Sequence, residues 1–211
     1  MATTTAQTEQ KTTPPARPAR RTPSTQPAAA GVARPARRIS LEQFLLKYSD
    51  REDGYKYEWN NGRIEKSKAM NQQQSKFFYI LLSFFLKTEA ARKGGLLIAE
   101  TDMQTTREQY RRPDIAFYNA EQLSSMWSGQ NQIAPWVVEI ISPTDNADKI
   151  NQKLEEYFRA GVQVVWHIFP ASQKVDVFTS PDDVKICRGK VVCSAAPAVP
   201  DLEITAETLF A

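Results

Sequence analysis

Two carboxylates in this sequence lie inside apolar runs, where an unpaired charge is costly. Asp114 precedes the run Ile-Ala-Phe-Tyr, and Glu139 stands between Val-Val and Ile-Ile. Burial of an isolated ionised carboxylate costs on the order of several kcal/mol unless a cation or a metal compensates it. Two carboxylates can hold a divalent ion that polarises a phosphoryl oxygen, while a lysine orients water or stabilises the developing charge. Lys153, on the helix predicted after Glu139, could supply that charge.

Each of these residues also has an ordinary structural interpretation. Glu139 could pair with a structural arginine or lysine, and Asp114 could accept backbone hydrogen bonds at the start of a strand. Lys153 could be a solvated helix residue. Glu58 and Glu100 are either further carboxylates of the same site or surface charges of their strands.

Four other polar side chains have two interpretations. His167, the single histidine, lies in the run Val-Val-Trp-His-Ile-Phe and is read as a buried strand residue rather than a general base. Tyr110, Arg111 and Arg112 immediately precede the strand of Asp114. They could contact a phosphate backbone or simply be exposed turn residues.

The elements that must position these residues can be predicted from local patterns. Ser40 and Gln43 form a capping box that begins a short helix. The pair Asn61-Gly62 supplies the positive φ angles of a tight turn and predicts a hairpin of 55–59 with 63–66. Further elements are predicted in this order: a long helix over 71–92, strands over 96–104 and 113–118, a short helix over 120–127, a strand over 136–141, a helix over 145–160, strands over 163–169 and 174–179, and a hairpin over 184–192.

The segment 136–169 forms a strand, a helix and another buried strand. This βαβ order predicts that the two strands are parallel. With the preceding elements the chain is an α/β protein with an α-β-β-β-α-β core and a mixed sheet. A helix and a hairpin are added before this core, and a β-hairpin is added after it.

The ordered set of motifs resembles the PD-(D/E)XK superfamily, which has the restriction-endonuclease-like fold. More closely, it is similar to the bacterial putative-restriction-endonuclease domain family over roughly residues 40–205. The motifs that carry this resemblance are Tyr57-Glu58 before the Asn-Gly turn, Arg112-Pro113-Asp114-Ile115-Ala116-Phe117, Val138-Glu139-Ile140-Ile141-Ser142-Pro143, and Lys153-Leu154-Glu155-Glu156-Tyr157 before Ala160-Gly161-Val162.

The resemblance implies that Asp114 and Glu139 are the metal ligands and that Mg²⁺ or Mn²⁺ is the cofactor. The chain departs from the superfamily pattern two residues after Glu139, where Ile141 replaces the usual lysine. In the closer family that lysine is on the following helix, and Lys153 occupies the matching place. Lys149, one turn earlier, is the competing candidate. At the start of the long helix, where relatives often have a histidine, this chain has glutamines at 72–74.

Charge is distributed unevenly along the chain. Residues 1–38 contain seven basic residues and one acid, whereas the whole chain has 27 basic and 24 acidic residues, so the tail carries +6 and the remainder −3. The tail also contains six of the 13 prolines, and its Pro/Ala/Thr-rich composition is typical of disorder. It could be a basic arm that contacts phosphates or a solvated extension. The nuclease domain is predicted over 39–211.

The resulting hypothesis is a Mg²⁺-dependent DNA endonuclease, with Asp114 and Glu139 holding the ion and Lys153 positioning water. The alternative is a catalytically silent member of the same fold that binds nucleic acid or a protein. No apolar run is long enough for a membrane span. Two cysteines, at 187 and 193, are too few for a disulfide framework and fit a cytoplasmic protein. A homodimer is among the assemblies that the sequence allows.

Overall fold

The computed structural model describes residues 1–3 and 38–211. Almost all of the predicted tail, residues 4–37, lies outside the described residues, so its interpretation as a disordered basic arm stays a prediction. No helix in the described part of the chain is long and apolar enough to cross a membrane.

The described region contains both helices and strands. The helices are α1 (Leu41–Phe44), α2 (Gln72–Phe85), α3 (Glu89–Arg92), α4 (Ala120–Trp127), α5 (Ala147–Ala160) and α6 (Ala206–Phe210). The strands are β1 (Tyr55–Asn60), β2 (Arg63–Lys68), β3 (Leu96–Ala99), β4 (Met103–Gln104), β5 (Gln109–Arg111), β6 (Ile115–Tyr118), β7 (Trp136–Ile140), β8 (Val164–Phe169), β9 (Lys174–Ser180), β10 (Asp183–Cys187), β11 (Val192–Ala195) and β12 (Val199–Thr205). A π-helical turn, Leu45–Ser49, extends α1.

A six-stranded sheet in the order β10-β9-β8-β7-β6-β3 is the centre of the fold. β7 and β8 are parallel, as predicted from the helix between them, and the other neighbours are antiparallel. One face packs on α2 through residues such as Phe85, Trp136 and Trp166. The other face, which includes Val137, packs on α5 through Leu154. Because side chains alternate along a strand, Glu139 lies on the α5 face with Val137.

A second sheet, in the order β2-β1-β5-β4, contains the predicted hairpin. Its turn has φ of 47° at Asn61 and 80° at Gly62. A Cβ at Gly62 would lie 2.8 Å from the Cβ of Arg38, so this position requires glycine for space as well as conformation. β5 pairs with β1 and then leads directly through Pro113 into β6 of the main sheet. This connection brings β1 close to the start of β6.

Two predicted elements are interrupted. The long helix over 71–92 is wrong in its length, because the Thr88 hydroxyl donates to the Phe85 carbonyl and caps α3 by accepting the Ala91 N–H. The strand over 96–104 is divided at Glu100, which has a φ of 48°. As a result β3 belongs to the main sheet and β4 to the smaller one.

The predicted hairpin over 184–192 is also wrong. β10 pairs with β9, and a short turn around Pro181 joins the two strands. Across that turn the Thr179 hydroxyl donates to Asp183 at 2.6 Å. β11 instead pairs with β12 as a separate two-stranded sheet. The C-terminal addition is therefore a hairpin of residues 192–205, and 183–187 extends the main sheet.

Candidate active site

The structure brings the three predicted site residues together. Asp114 immediately precedes β6, Glu139 lies near the end of β7, and Lys153 reaches the same place from α5. Both carboxylates are buried, with 6% and 7% of their surface exposed. The Lys153 Nζ lies 2.9 Å from Glu139 Oε1. The Ile140 N–H donates to Asp114 Oδ2 at 2.6 Å, so the neighbouring strand fixes the orientation of that carboxylate.

Helix α5 presents two side chains to the site. Asn146 caps its first turn, and Gly161 ends it in the left-handed conformation with a φ of 107°. Lys153 and Tyr157, four residues apart, lie on the same face. The Tyr157 hydroxyl donates to Glu139 Oε1 at 2.6 Å. Burial, reinforced by the charge of Glu139, raises the pKa of Tyr157 well above its ordinary value, so the hydroxyl remains a proton donor.

The smaller sheet contributes Lys56, which sequence reasoning missed. Lys56 Nζ lies 2.5 Å from Asp114 Oδ1 and 3.9 Å from Glu139 Oε2, so one ammonium group stands between the two carboxylates. Burial opposes this charge, but Asp114, Glu139 and Glu58 outweigh burial and raise the pKa of Lys56 above its ordinary value. The lysine is therefore cationic at neutral pH.

Glu58 is two residues from Lys56 on the same face of β1. Its carboxylate accepts from the Arg112 N–H at 2.8 Å and from Lys153 Nζ at 2.7 Å, and lies 3.4 Å from the Arg111 guanidinium. Burial raises its pKa, but Lys153, Lys56 and Arg111 together lower it to about 2. Because donors already surround this carboxylate, its main effect is to position Lys153.

Arg111 connects Glu58 to a second group of carboxylates. Its guanidinium binds both oxygens of Glu156 and lies 2.9 Å from Glu65. Glu156 also accepts from the Thr105 hydroxyl. Burial opposes the charge of Arg111, but these acids, together with Glu58, raise its pKa above the ordinary value. Such a network fixes geometry, because a guanidinium fork matches a carboxylate in only a few orientations.

Other candidate residues lie outside this cluster. The Glu100 carboxylate accepts from the Met70 N–H at 2.7 Å, before α2, and in residues 38–211 it forms no ion pair with the cluster. Lys149 is exposed and lies 3.9 Å from Glu65. Arg112 binds Asp102 through two nitrogens, so it is engaged within the fold.

His167 is next to Glu139 in the parallel β7–β8 pairing and is buried. Burial, together with Lys153 and Lys174, lowers its pKa to about 4, although Glu139 acts in the opposite direction. At neutral pH the imidazole is uncharged and therefore contributes no charge to the site.

The donor oxygens suit a divalent cation. Apart from the exposed Lys149, five carboxylates and three cations interact here, which leaves a formal charge of −2 on the cluster. In the described residues no three histidine, cysteine, aspartate or glutamate side chains converge to form a complete metal site. An ion would take Asp114 and Glu139 as ligands and complete its shell with water or phosphate oxygens, as Mg²⁺ commonly does. The Lys56 ammonium already marks a cation position shared by both carboxylates.

The missed residues left weak signals in the sequence. Lys56 and Glu58 are two apart in a strand, which places them on one face, and Lys153 and Tyr157 are four apart in a helix. These spacings indicate which side chains lie together on one element. They do not identify the partner across the fold.

Comparisons with known proteins identify the family and the fold. The model of the family Uma2, described as "Putative restriction endonuclease", matches residues 41–207. A solved structure titled as a putative nuclease belonging to DUF820 from Anabaena variabilis is similar at 18% identity with a TM-score of 0.69, and covers 82% of this chain and 97% of that one. At this identity the likeness concerns the fold, and it confirms the predicted restriction-endonuclease-like α/β architecture. No curated protein matches.

Proposed function

The chain belongs to the Uma2 family, described as "Putative restriction endonuclease", and from that membership we propose that it is a metal-dependent endonuclease that hydrolyses phosphodiester bonds in DNA. The observation that supports the proposal most directly is the cation position shared by Asp114 and Glu139, with the Lys153 ammonium 2.9 Å from Glu139. Mg²⁺ or Mn²⁺ is the proposed cofactor, because carboxylate oxygens are the ligands that these ions prefer.

Asp114 and Glu139 would hold the ion, which supplies Lewis-acid polarisation of a phosphoryl oxygen and a bound water of lowered pKa. The chain's own residues do the remaining work. Tyr157 fixes Glu139 through its hydroxyl. Glu58 Oε1 accepts from Lys153 Nζ at 2.7 Å, and this contact holds the ammonium group beside Glu139. In this position Lys153 orients the attacking water and offsets negative charge that develops on the phosphate.

Substrate attraction would come mainly from the N-terminal tail. Residues 39–211 carry a formal charge of −3. Arg111 and Arg112 form ion pairs with Glu156 and Asp102, respectively. The +6 charge of residues 1–38 could bind phosphates and release counterions. We therefore assign DNA binding strength to the tail and the chemistry to the cluster.

One observation favours a second candidate, a silent member of the family that binds nucleic acid or a protein without cleaving. Lys56 compensates the two carboxylates within the protein itself, at 2.5 Å from Asp114 and 3.9 Å from Glu139. Because the carboxylate pair has this counterion within the protein, it does not need a metal for stability.

A metal-titrated cleavage assay separates the two candidates. The full chain is incubated with supercoiled plasmid, linear duplex and single-stranded DNA over a range of Mg²⁺ and Mn²⁺ concentrations. Cleavage should require the ion and should disappear in Asp114→Asn and Glu139→Gln. Absence of cleavage of all forms, or cleavage that survives in both variants, would contradict the proposal.

A further inference from the structure

The four oxygens of Asp114 and Glu139 are divided between two kinds of partner. Asp114 Oδ2 accepts from the Ile140 N–H, and Glu139 Oε1 accepts from Tyr157 and lies 2.9 Å from Lys153. The other two oxygens share one ammonium group, which donates a hydrogen bond to the aspartate. Asp114 Oδ1 and Glu139 Oε2 both face Lys56 Nζ, at 2.5 Å and 3.9 Å. Lys56 thus occupies the side of the carboxylate pair on which a shared cation would bind.

An ammonium group and a divalent ion cannot both use this position. Mg²⁺ binds carboxylate oxygens at about 2.0–2.1 Å, so an ion on Asp114 Oδ1 would lie within a few ångströms of an ammonium on the same oxygen. At that separation two like charges repel strongly in a buried site. The Lys56 side chain is 9% exposed, so little solvent screens the repulsion. An ion can therefore bind both oxygens only after Lys56 has moved.

The side chain of Lys56 is able to move without disrupting β1. Lysine carries its charge on a flexible four-carbon stem, and its ammonium has no fixed planar geometry. Its contacts in the site are ionic: a hydrogen-bonded pair with Asp114 and a longer pair with Glu139. An ion that binds these carboxylates removes the reason for the ammonium to remain there.

We infer that Lys56 is a built-in competitor of the metal, which holds the carboxylate pair together without the ion and must leave for the ion to bind. This inference rests on the proposed function, since it concerns the same site. It assigns Lys56 a role opposite to that of Lys153, which lies against the Glu139 oxygen on the other side. Metal affinity is then set by exchange of one cation for another rather than by filling of an open site.

The test is a calorimetric titration of the full chain with Mn²⁺ in the absence of DNA. Lys56→Met keeps an unbranched side chain, shorter by one atom, and removes the charge. It should bind Mn²⁺ at least about tenfold more tightly than the parent, because the ion no longer has to displace an ammonium group from Asp114 and Glu139. Lys149→Met is the matched control, since it removes an exposed lysine beside the cluster. Its affinity should remain within about twofold of the parent value, as expected for a screened surface charge.

A second measurement is thermal unfolding with and without Mn²⁺. Metal-free Lys56→Met should melt below the parent, because the carboxylates lose their counterion, and Mn²⁺ should raise its melting temperature more than it raises that of the parent. Lys56→Gln, which can still donate to Asp114, replaces the methionine variant if that variant does not fold. If both variants fold only with Mn²⁺, the exchange is supported. If neither folds even with the ion, Lys56 is a structural residue and the inference is wrong.

The outcomes separate this inference from the proposed function. If the parent cleaves DNA but Lys56→Met binds Mn²⁺ no more tightly than the parent does, the inference is wrong and the proposed function stands. Tighter binding by the variant, with no cleavage by any form, overturns the nuclease proposal and leaves the competition established. If neither protein binds Mn²⁺, no exchange occurs and Lys56 is not a competitor.

Discussion

Replacement of Lys153 by alanine tests the least conventional part of the proposed site. The Lys153 ammonium lies 2.7 Å from Glu58 Oε1 and 2.9 Å from Glu139 Oε1, with 17% of the side chain exposed. Loss of one such electrostatic group usually lowers the chemical rate by about 10²- to 10³-fold, which is about 2.7–4 kcal/mol in the barrier. We expect Lys153→Ala to slow single-turnover cleavage at least about a hundredfold. DNA affinity should remain nearly unchanged.

The same change should lower stability, and the structure limits by how much. Removal of one partner of a buried pair costs about 3–5 kcal/mol when the remaining charge has no other partner. Here Glu58 retains Arg111 and the Arg112 N–H, and Glu139 retains the Tyr157 hydroxyl. The loss should therefore be at or below the lower end of that range. Rates must be measured well below the melting temperature of the variant.

Lys149→Ala is the internal control. Lys149 is one turn earlier on α5, with 68% of its side chain exposed and a single acid, Glu65, at 3.9 Å. Exposed pairs of this kind contribute about 0–1 kcal/mol, so its cleavage rate should stay within a fewfold of the parent rate. If Lys149→Ala were the impaired variant, or if neither change slowed an active parent, the assignment of Lys153 would be refuted.

The elements around the site were largely predictable because their signals are local. Capping at Ser40, the turn at Gly62 and the helix end at Gly161 each depend on residues within one turn of one another, and the structure confirms them. The apolar residues that surround Asp114 and Glu139 in the sequence are likewise their immediate neighbours along the chain. A charge inside a run of β-branched residues must be compensated, and this requirement does not depend on the rest of the fold.

The compensating cation could not be predicted, because it depends on a distant strand pairing. Lys56 reaches Asp114 only because β1 pairs with β5, with Trp59 opposite Tyr110, and β5 leads into β6. No pattern within β1 specifies that partner. The breaks at Thr88 and Glu100 were missed for different reasons. At Thr88, local hydrogen bonds to the Phe85 carbonyl and from the Ala91 N–H separate two helices that the apolar pattern predicts as one. At Glu100 the chain passes from the main sheet to the smaller one, and this exchange depends on strand pairing elsewhere in the fold.

Three further predictions concern the ligands, the tail and the buried histidine. Asp114→Asn and Glu139→Gln should each abolish the Mn²⁺ binding that calorimetry measures. Each should also lower the melting temperature without metal, because each variant loses an ion pair with a lysine. Unchanged Mn²⁺ affinity in both variants would exclude this metal site. Deletion of residues 1–38 should weaken DNA binding uniformly across sequences and reduce the log-log salt slope by about 0.9 per lost phosphate contact, whereas an unchanged slope would identify a solvated extension. His167 should make the protein acid-sensitive, because burial lowers its pKa from 6.5 to about 4. Between these values the unfolded chain binds a proton that the folded chain does not, so stability falls as the pH is lowered from 6.5 to about 4. At about 1.4 kcal/mol per pKa unit the loss is about 3 kcal/mol. Urea unfolding of the parent and of His167→Gln across this range should show the difference, since the glutamine variant lacks the titrating group; parallel stability curves for the two proteins would show that His167 keeps its ordinary pKa in the fold.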